Sequence, residues 1–113
     1  MKEAEFATRI EETANFLQLR WYHPYDSRKS NGGFPDYTIV GPYGVLFLEI
    51  KSDKGKPTPQ QEAWIKDLAA AWAPHQVAPG DSGVDSARAV TAYVAYPRDW
   101  NRVLSDLKRI AGR

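Results

Sequence analysis

The sequence contains no cysteine, two histidines and a single methionine. Without cysteine there is no disulfide framework, no thiolate nucleophile and no sulfur-ligated zinc cluster, and two histidines are too few for a His-rich metal centre. Any resident metal has to be held mainly by oxygen. No apolar run approaches the roughly 18 residues that read as a membrane span, and the opening Met1-Lys2-Glu3-Ala4-Glu5-Phe6 lacks the apolar stretch of an export signal. Neither membrane insertion nor export is expected, which leaves the cytoplasm. A glycine-rich phosphate loop ending in Lys-Ser or Lys-Thr is also missing, so an ATP motor and a nucleotide cofactor are not expected. Charge of one sign is not in excess: 15 Lys and Arg stand against 14 Asp and Glu, too even a balance to mark a nucleic-acid binder by itself.

What is present is the composition of a folded globular protein, 42% hydrophobic and 26% charged, at the size of one domain. Residues 1–113 read as a single domain without repeats or low-complexity segments. Basic residues do gather locally, at Arg20, Arg28 and Lys29, at Lys51, Lys54 and Lys56, and along the tail from Arg98. Glu3, Phe6, Ile10, Ala14 and Leu17 recur at helical spacing and predict an amphipathic helix over about residues 2–17, with Glu5, Arg9, Glu11 and Glu12 falling elsewhere. A short aromatic strand, Arg20 to His23, stops at Pro24, and the run to Pro35 is turn and loop chemistry. Two strands, Asp36 to Val40 and Val45 to Lys51, flank Gly41-Pro42-Tyr43-Gly44 and read as a hairpin. Thr58-Pro59-Gln60-Gln61 has the form of a capping box and starts a helix through about Trp72. After a polar loop over 74–87, Arg88 to Tyr96 alternates as a strand. Asp99 is then expected to cap a last helix, lined on one side by Trp100, Val103, Leu104, Leu107 and Ile110 and ended by Gly112.

The chemistry is concentrated in the hairpin. Val45 to Ile50 is apolar on both faces apart from Glu49, the pattern of a buried strand, yet Glu49 and Lys51 stand on one face two residues apart. A turn centred between Pro42 and Tyr43 pairs Val40 with Val45, Thr38 with Phe47 and Asp36 with Glu49. Opposed Cβ atoms in such a pair lie about 4.5 to 5.5 Å apart, where like charges are destabilising unless a cation sits between them. Oxygen ligation by few carboxylates suits Mg²⁺ or Mn²⁺, with water and substrate phosphate completing the shell. Lys51 would add a point charge able to orient or help deprotonate a water. Taken alone, Glu and Lys near a strand end describe a solvated edge, and Asp before a strand is commonly a turn residue. What shifts the reading is the combination with Gly33-Phe34-Pro35-Asp36 ahead of the first strand and Gln61 on the following helix.

With those residues the sequence resembles the PD-(D/E)XK nuclease superfamily, Pro35-Asp36 being the PD and Glu49-Ile50-Lys51 the ExK. More closely it is similar to the VRR-NUC family of small phage-type nucleases. The likeness runs from Glu3 to about Leu68 and resumes at Tyr96 to Trp100, leaving 74–87 as an apparent insertion. It implies an α/β fold with a restriction-endonuclease-like core, a central mixed β-sheet flanked by α-helices. It implies a site of Glu3, Asp36, Glu49, Lys51 and Gln61. Asp36, Glu49 and the Ile50 carbonyl would hold Mg²⁺ or Mn²⁺, Lys51 and Gln61 would position the nucleophile, and Glu3 would support a second metal or an outer water. Glu3 shares the helix face of Phe6 and Ile10, with Glu5 as the alternative carboxylate; Gln61 is preferred to Gln60 on spacing, although a capping box wants Gln there in any case. The segment Ser27, Arg28, Lys29 and Ser30 resembles the family's stretch before the PD and suits phosphate contacts. His23 reads as structural, with proton transfer as an alternative role, and His75 has no partner in view.

The activity so implied is metal-dependent hydrolysis of DNA, structure-selective for branched or junction DNA, by a homodimer whose candidate contacts are Trp72, Trp100 and the apolar side of the last helix. Trp21, Trp64, Trp72 and Trp100 read as core or interface residues. A non-catalytic nucleic-acid-binding or assembly module with the same fold is the alternative, against which stands the full set of acidic, basic and amide positions.

Overall fold

The computed structural model describes residues 1–24, 32–71 and 90–113. Along the chain run α1 (Glu3–Phe16), β1 (Arg20–Tyr22), β2 (Tyr37–Gly41), β3 (Gly44–Ile50), α2 (Pro59–Ala70), β4 (Val90–Ala95), a 3₁₀ turn (Pro97–Asp99) and α3 (Trp100–Ala111). The strands form one mixed sheet in the order β1-β2-β3-β4, with β1, β2 and β3 antiparallel in turn and β4 parallel to β3. The expected α/β class and flanking helices are present.

Each element follows from its residues. Phe6, Ile10 and Ala14 lie on one face of α1 at four-residue spacing, and all three are fully buried. The helix stops where Gln18 takes a left-handed φ of 60° and Leu19 N–H bonds back to the Ala14 carbonyl at 2.9 Å, turning the chain directly into β1. The β2–β3 hairpin closes through Pro42-Tyr43 and keeps the expected register, Val40 opposite Val45 and Thr38 opposite Phe47. Its tip is anchored on α3, because Tyr43 N–H donates to the Ile110 carbonyl at 3.0 Å. Gly112 ends α3 with a φ of 79°, and a Cβ there would meet the Tyr43 ring at 2.5 Å, so the glycine serves both backbone and packing.

Strand alternation divides the sheet into two unlike faces. Tyr37, Ile39, Leu46, Leu48, Ile50, Tyr93 and Ala95 form the core with α1 and α3, whose Val103, Leu107 and Ile110 are fully buried. The opposite face carries Arg20, Tyr22, Thr38, Val40, Val45, Phe47, Val90, Ala92 and Val94. There α2 packs chiefly on β4 and less on β3, joined to the sheet by Phe34, whose ring meets Trp64 at 5.0 Å and Phe47 at 6.1 Å. Over β1 and β2 this face carries no helix among the described residues.

Two expectations are corrected. Asp99 does not cap α3: its Oδ2 accepts from Tyr96 N–H at 2.9 Å, closing the 3₁₀ turn that Pro97 begins. The apolar side of α3 is not free for a partner chain, since it is part of the core, and Trp100 is partly buried edge-on to Phe6 at 6.5 Å with Arg9 above it at 4.9 Å. Trp21 packs against Tyr37 at the edge of the core, whereas Trp64, half-buried, packs against Phe34 outside it. Trp72, His75, Arg88 and the 74–87 loop lie outside the described residues. No helix among the described residues is long and apolar enough to cross a membrane.

Candidate active site

The open end of the β2–β3 hairpin brings Asp36 and Glu49 together. Gly33 prepares the approach: with a φ of 88°, and with space for a Cβ closed off by the Gln60 backbone at 2.7 Å, only glycine lets this segment lie on the start of α2. Pro35 and Asp36 then lead into β2. Asp36 is fixed from both ends, its Oδ2 accepting from Ile50 N–H at 2.9 Å and its carbonyl accepting from His23 Nδ1–H at 2.6 Å. A carbonyl only accepts, so Nδ1 carries the proton in this bond.

Among the described residues Glu49 is the one charged residue in the buried set, 1% exposed. Its Oε1 is buried without a hydrogen-bond donor, and its Oε2 lies 3.9 Å from Lys51 Nζ. Burial first, then the hydrogen-bonding proximity and charge of Asp36, push the Glu49 carboxyl up from 4.5 to about 9, with Lys51 opposing and Glu3 adding to the rise. At neutral pH the buried Glu49 carboxyl therefore keeps its proton. A buried carboxylate oxygen with no donor is satisfied by a proton or by a cation.

A cleft of about 330 Å³ opens between α1 and this end of the sheet, lined by Glu3, Ala7, Glu11, His23, Asp36 and Ile50 among others. Glu3 lines it and Glu5 does not, as the helix-face argument expects. Glu3 is nonetheless exposed, a residue of the mouth. Among the described residues no three His, Cys, Asp or Glu side chains stand together closely enough to hold a metal ion. The protein donors available to a cation would be the two carboxylates and the neighbouring carbonyl, a set that fits a hard ion completed by water and phosphate, and the unpartnered Glu49 oxygen is the local feature such an ion would satisfy.

The Gln61 side-chain oxygen is engaged at the start of α2. Its Oε1 accepts from Thr58 N–H at 2.8 Å while its own N–H donates to Thr58 Oγ1 at 3.2 Å, a complete capping box at the start of α2. Thr58→Ala is expected to lower stability by about 1 kcal/mol, and Gln61→Ala by a similar amount, whereas Gln61→Glu keeps the box; thermal denaturation checks all three. Ser27, Arg28, Lys29 and Ser30 lie outside the described residues.

One part of the site escapes the sequence reading. Glu11 accepts a hydrogen bond from the Tyr37 hydroxyl, and burial, followed by that acceptor, drives the Tyr37 phenol well above its usual range. His23 stacks on the same ring, centroids 4.6 Å apart and planes 15° off parallel. Tyr37 and Glu11 therefore hold the wall on which Asp36 and His23 sit. The available signal is spacing: Glu3, Ala7 and Glu11 recur every four residues and share a helix face.

Compared with protein-family models, curated proteins and solved structures, the chain matches none.

Proposed function

We propose that the protein is a metal-dependent nuclease that hydrolyses phosphodiester bonds of DNA at the Asp36–Glu49–Lys51 cluster. The observation that carries this reading is the buried Glu49 carboxyl, one oxygen of which has no donor, set beside Asp36 and within 3.9 Å of the Lys51 ammonium. A fold gains nothing from two opposed carboxylates and an orphaned oxygen, and a site that recruits a cation requires them. The mixed sheet with helices on both faces agrees with a restriction-endonuclease-like core.

Asp36, Glu49 and the Ile50 carbonyl would hold Mg²⁺ or Mn²⁺, which when bound supplies charge to the scissile phosphate and acidifies a water. Lys51 presents its ammonium to the incoming water or to a non-bridging phosphate oxygen. Asp36 stays oriented through the Ile50 and His23 bonds, so little reorganisation is needed on binding. Glu3, at the mouth, orients water at longer range. Glu3→Ala should therefore reduce the cleavage rate severalfold and Glu5→Ala should leave it near the parent value, measured as initial rates on one substrate.

Branched or junction DNA is the proposed substrate and a symmetric homodimer the proposed form. The test is incubation with labelled junction, flap, nicked, single-stranded and linear DNAs in Mg²⁺, Mn²⁺ or chelator. Metal-dependent products, most abundant on a branched substrate, are expected. Full activity in chelator would reject the mechanism, and binding without cleavage under every condition would establish the assembly-module alternative.

A further inference from the structure

We propose that the half of the sheet left uncovered by α2, with Tyr22 at its centre, is a docking surface for an unpaired DNA strand leading into the Asp36–Glu49 site. The inference deepens the nuclease reading and rests on it for the direction of the strand.

The two registers place Tyr22 beside Thr38 and Phe47 across the sheet, and Arg20 beside Val40 and Val45. All of these project from the face that also carries Glu49. α2 packs over β4 and β3, so the β1–β2 half keeps Arg20 exposed, Tyr22 63% exposed and Val40 44% exposed. An aromatic ring at that exposure contributes little to the fold. Three features favour a nucleic-acid strand as its occupant. The ring is flanked on its own strand and face by a cation two residues away, the pairing that serves a base and its phosphate. The stripe is continuous with the proposed site: standard strand spacing sets Tyr22 on the order of 12 Å from Glu49, two strands over and two residues along. The exposed apolar area is also small. Two or three side chains fall far short of the roughly 800 Å² per partner that a stable protein interface buries, but one ring is the footprint of one base. A base reaches an open ring face only when it is not stacked within a duplex, hence the preference for an unpaired strand.

The experiment is equilibrium binding in chelator, where no cleavage occurs, read by fluorescence anisotropy of a labelled oligo(dT) and of a blunt duplex of equal length. Tyr22→Ala should raise the oligo(dT) Kd about tenfold, within the range that one base–aromatic stack supplies, and change duplex affinity less than twofold. Tyr22→Phe should keep the parent affinity, and Tyr22→Leu, which keeps apolar area without a π face, should behave as Tyr22→Ala. Arg20→Gln should weaken oligo(dT) binding and lower its salt slope by a little under one unit. Equal loss for duplex and single strand, retained affinity in Tyr22→Leu, or no change in Tyr22→Ala would each overturn the proposal. So would a concentration-dependent dimer in light scattering that Tyr22→Ala dissociates, which would make the stripe a self-association surface. The assay involves neither metal nor hydrolysis, so its failure leaves the nuclease reading intact, and the absence of cleavage elsewhere leaves this result standing.

Discussion

Asp36→Asn, Glu49→Gln and Lys51→Ala are each expected to reduce metal-dependent DNA cleavage by two to three orders of magnitude or more, the scale seen when one preorganised electrostatic group is removed from a reaction centre. The three losses have different origins. Glu49→Gln and Asp36→Asn each leave the proposed cation site with one carboxylate able to ionise against a bound ion instead of two, so part of their loss should be recovered at higher Mn²⁺. Lys51→Ala leaves both carboxylates in place and removes only the ammonium 3.9 Å from Glu49, so added metal should restore nothing. Initial rates across a Mn²⁺ series separate the two patterns. Circular dichroism of each variant shows whether the fold persists, which is expected, because none of the three side chains belongs to the apolar core. Equal, metal-independent losses in all three would argue for a common structural defect.

The second large effect concerns stability and needs no substrate. The Glu49 carboxyl is raised from 4.5 to about 9 in the folded chain, so between those values the folded state binds a proton that the unfolded state has released. Stability then falls as pH rises through this window, by at most about 1.4 kcal/mol per unit. The penalty is small near pH 5 and fully developed above pH 9. In Glu49→Gln the amide NH₂ can donate to Asp36 permanently, so the variant should melt above the parent at pH 8 to 9 in chelator, with the difference shrinking towards pH 5. A difference of about 2 kcal/mol corresponds to roughly 8 °C or more for a domain of this size. Adding Mn²⁺ should reverse the order, because a ligand of the folded state stabilises the parent by RT ln(1 + [L]/Kd) while the variant has lost half of the carboxylate pair. A parent more stable than Glu49→Gln at pH 9 in chelator would mean that the carboxylates are structural.

The legible parts of the molecule are those set by local rules. Strand alternation and the Gly41-Pro42-Tyr43-Gly44 turn define the hairpin register, and from it follows the meeting of Asp36 and Glu49. Thr58-Pro59-Gln60-Gln61 announces the start of α2, and Gly112 the end of α3. The parts that are not legible depend on distant partners. Glu11 lies off the fully buried stripe of α1, and its bond to Tyr37 joins residues 26 apart. The capping role of Asp99 is ambiguous in sequence because Pro97 permits a 3₁₀ turn just ahead of α3, and the carboxylate serves the nearer donor, Tyr96 N–H. Gln61 satisfies two patterns with one side chain, and the helix start takes its oxygen. The apolar side of α3 is visible as a stripe, but only packing reveals that the sheet takes it up, so the stripe says nothing of a second chain.

Mn²⁺ titrated into the metal-free protein in an isothermal calorimeter at pH 7, in two buffers of different ionisation enthalpy, shows whether Asp36 and Glu49 form one divalent-cation site. Because Glu49 holds a proton that a cation must displace, saturable binding is expected together with release of about one proton per ion, seen as a buffer-dependent heat, and loss of that heat in Glu49→Gln. Binding that is absent in the parent, or unchanged in heat and proton release in Glu49→Gln, would contradict such a site.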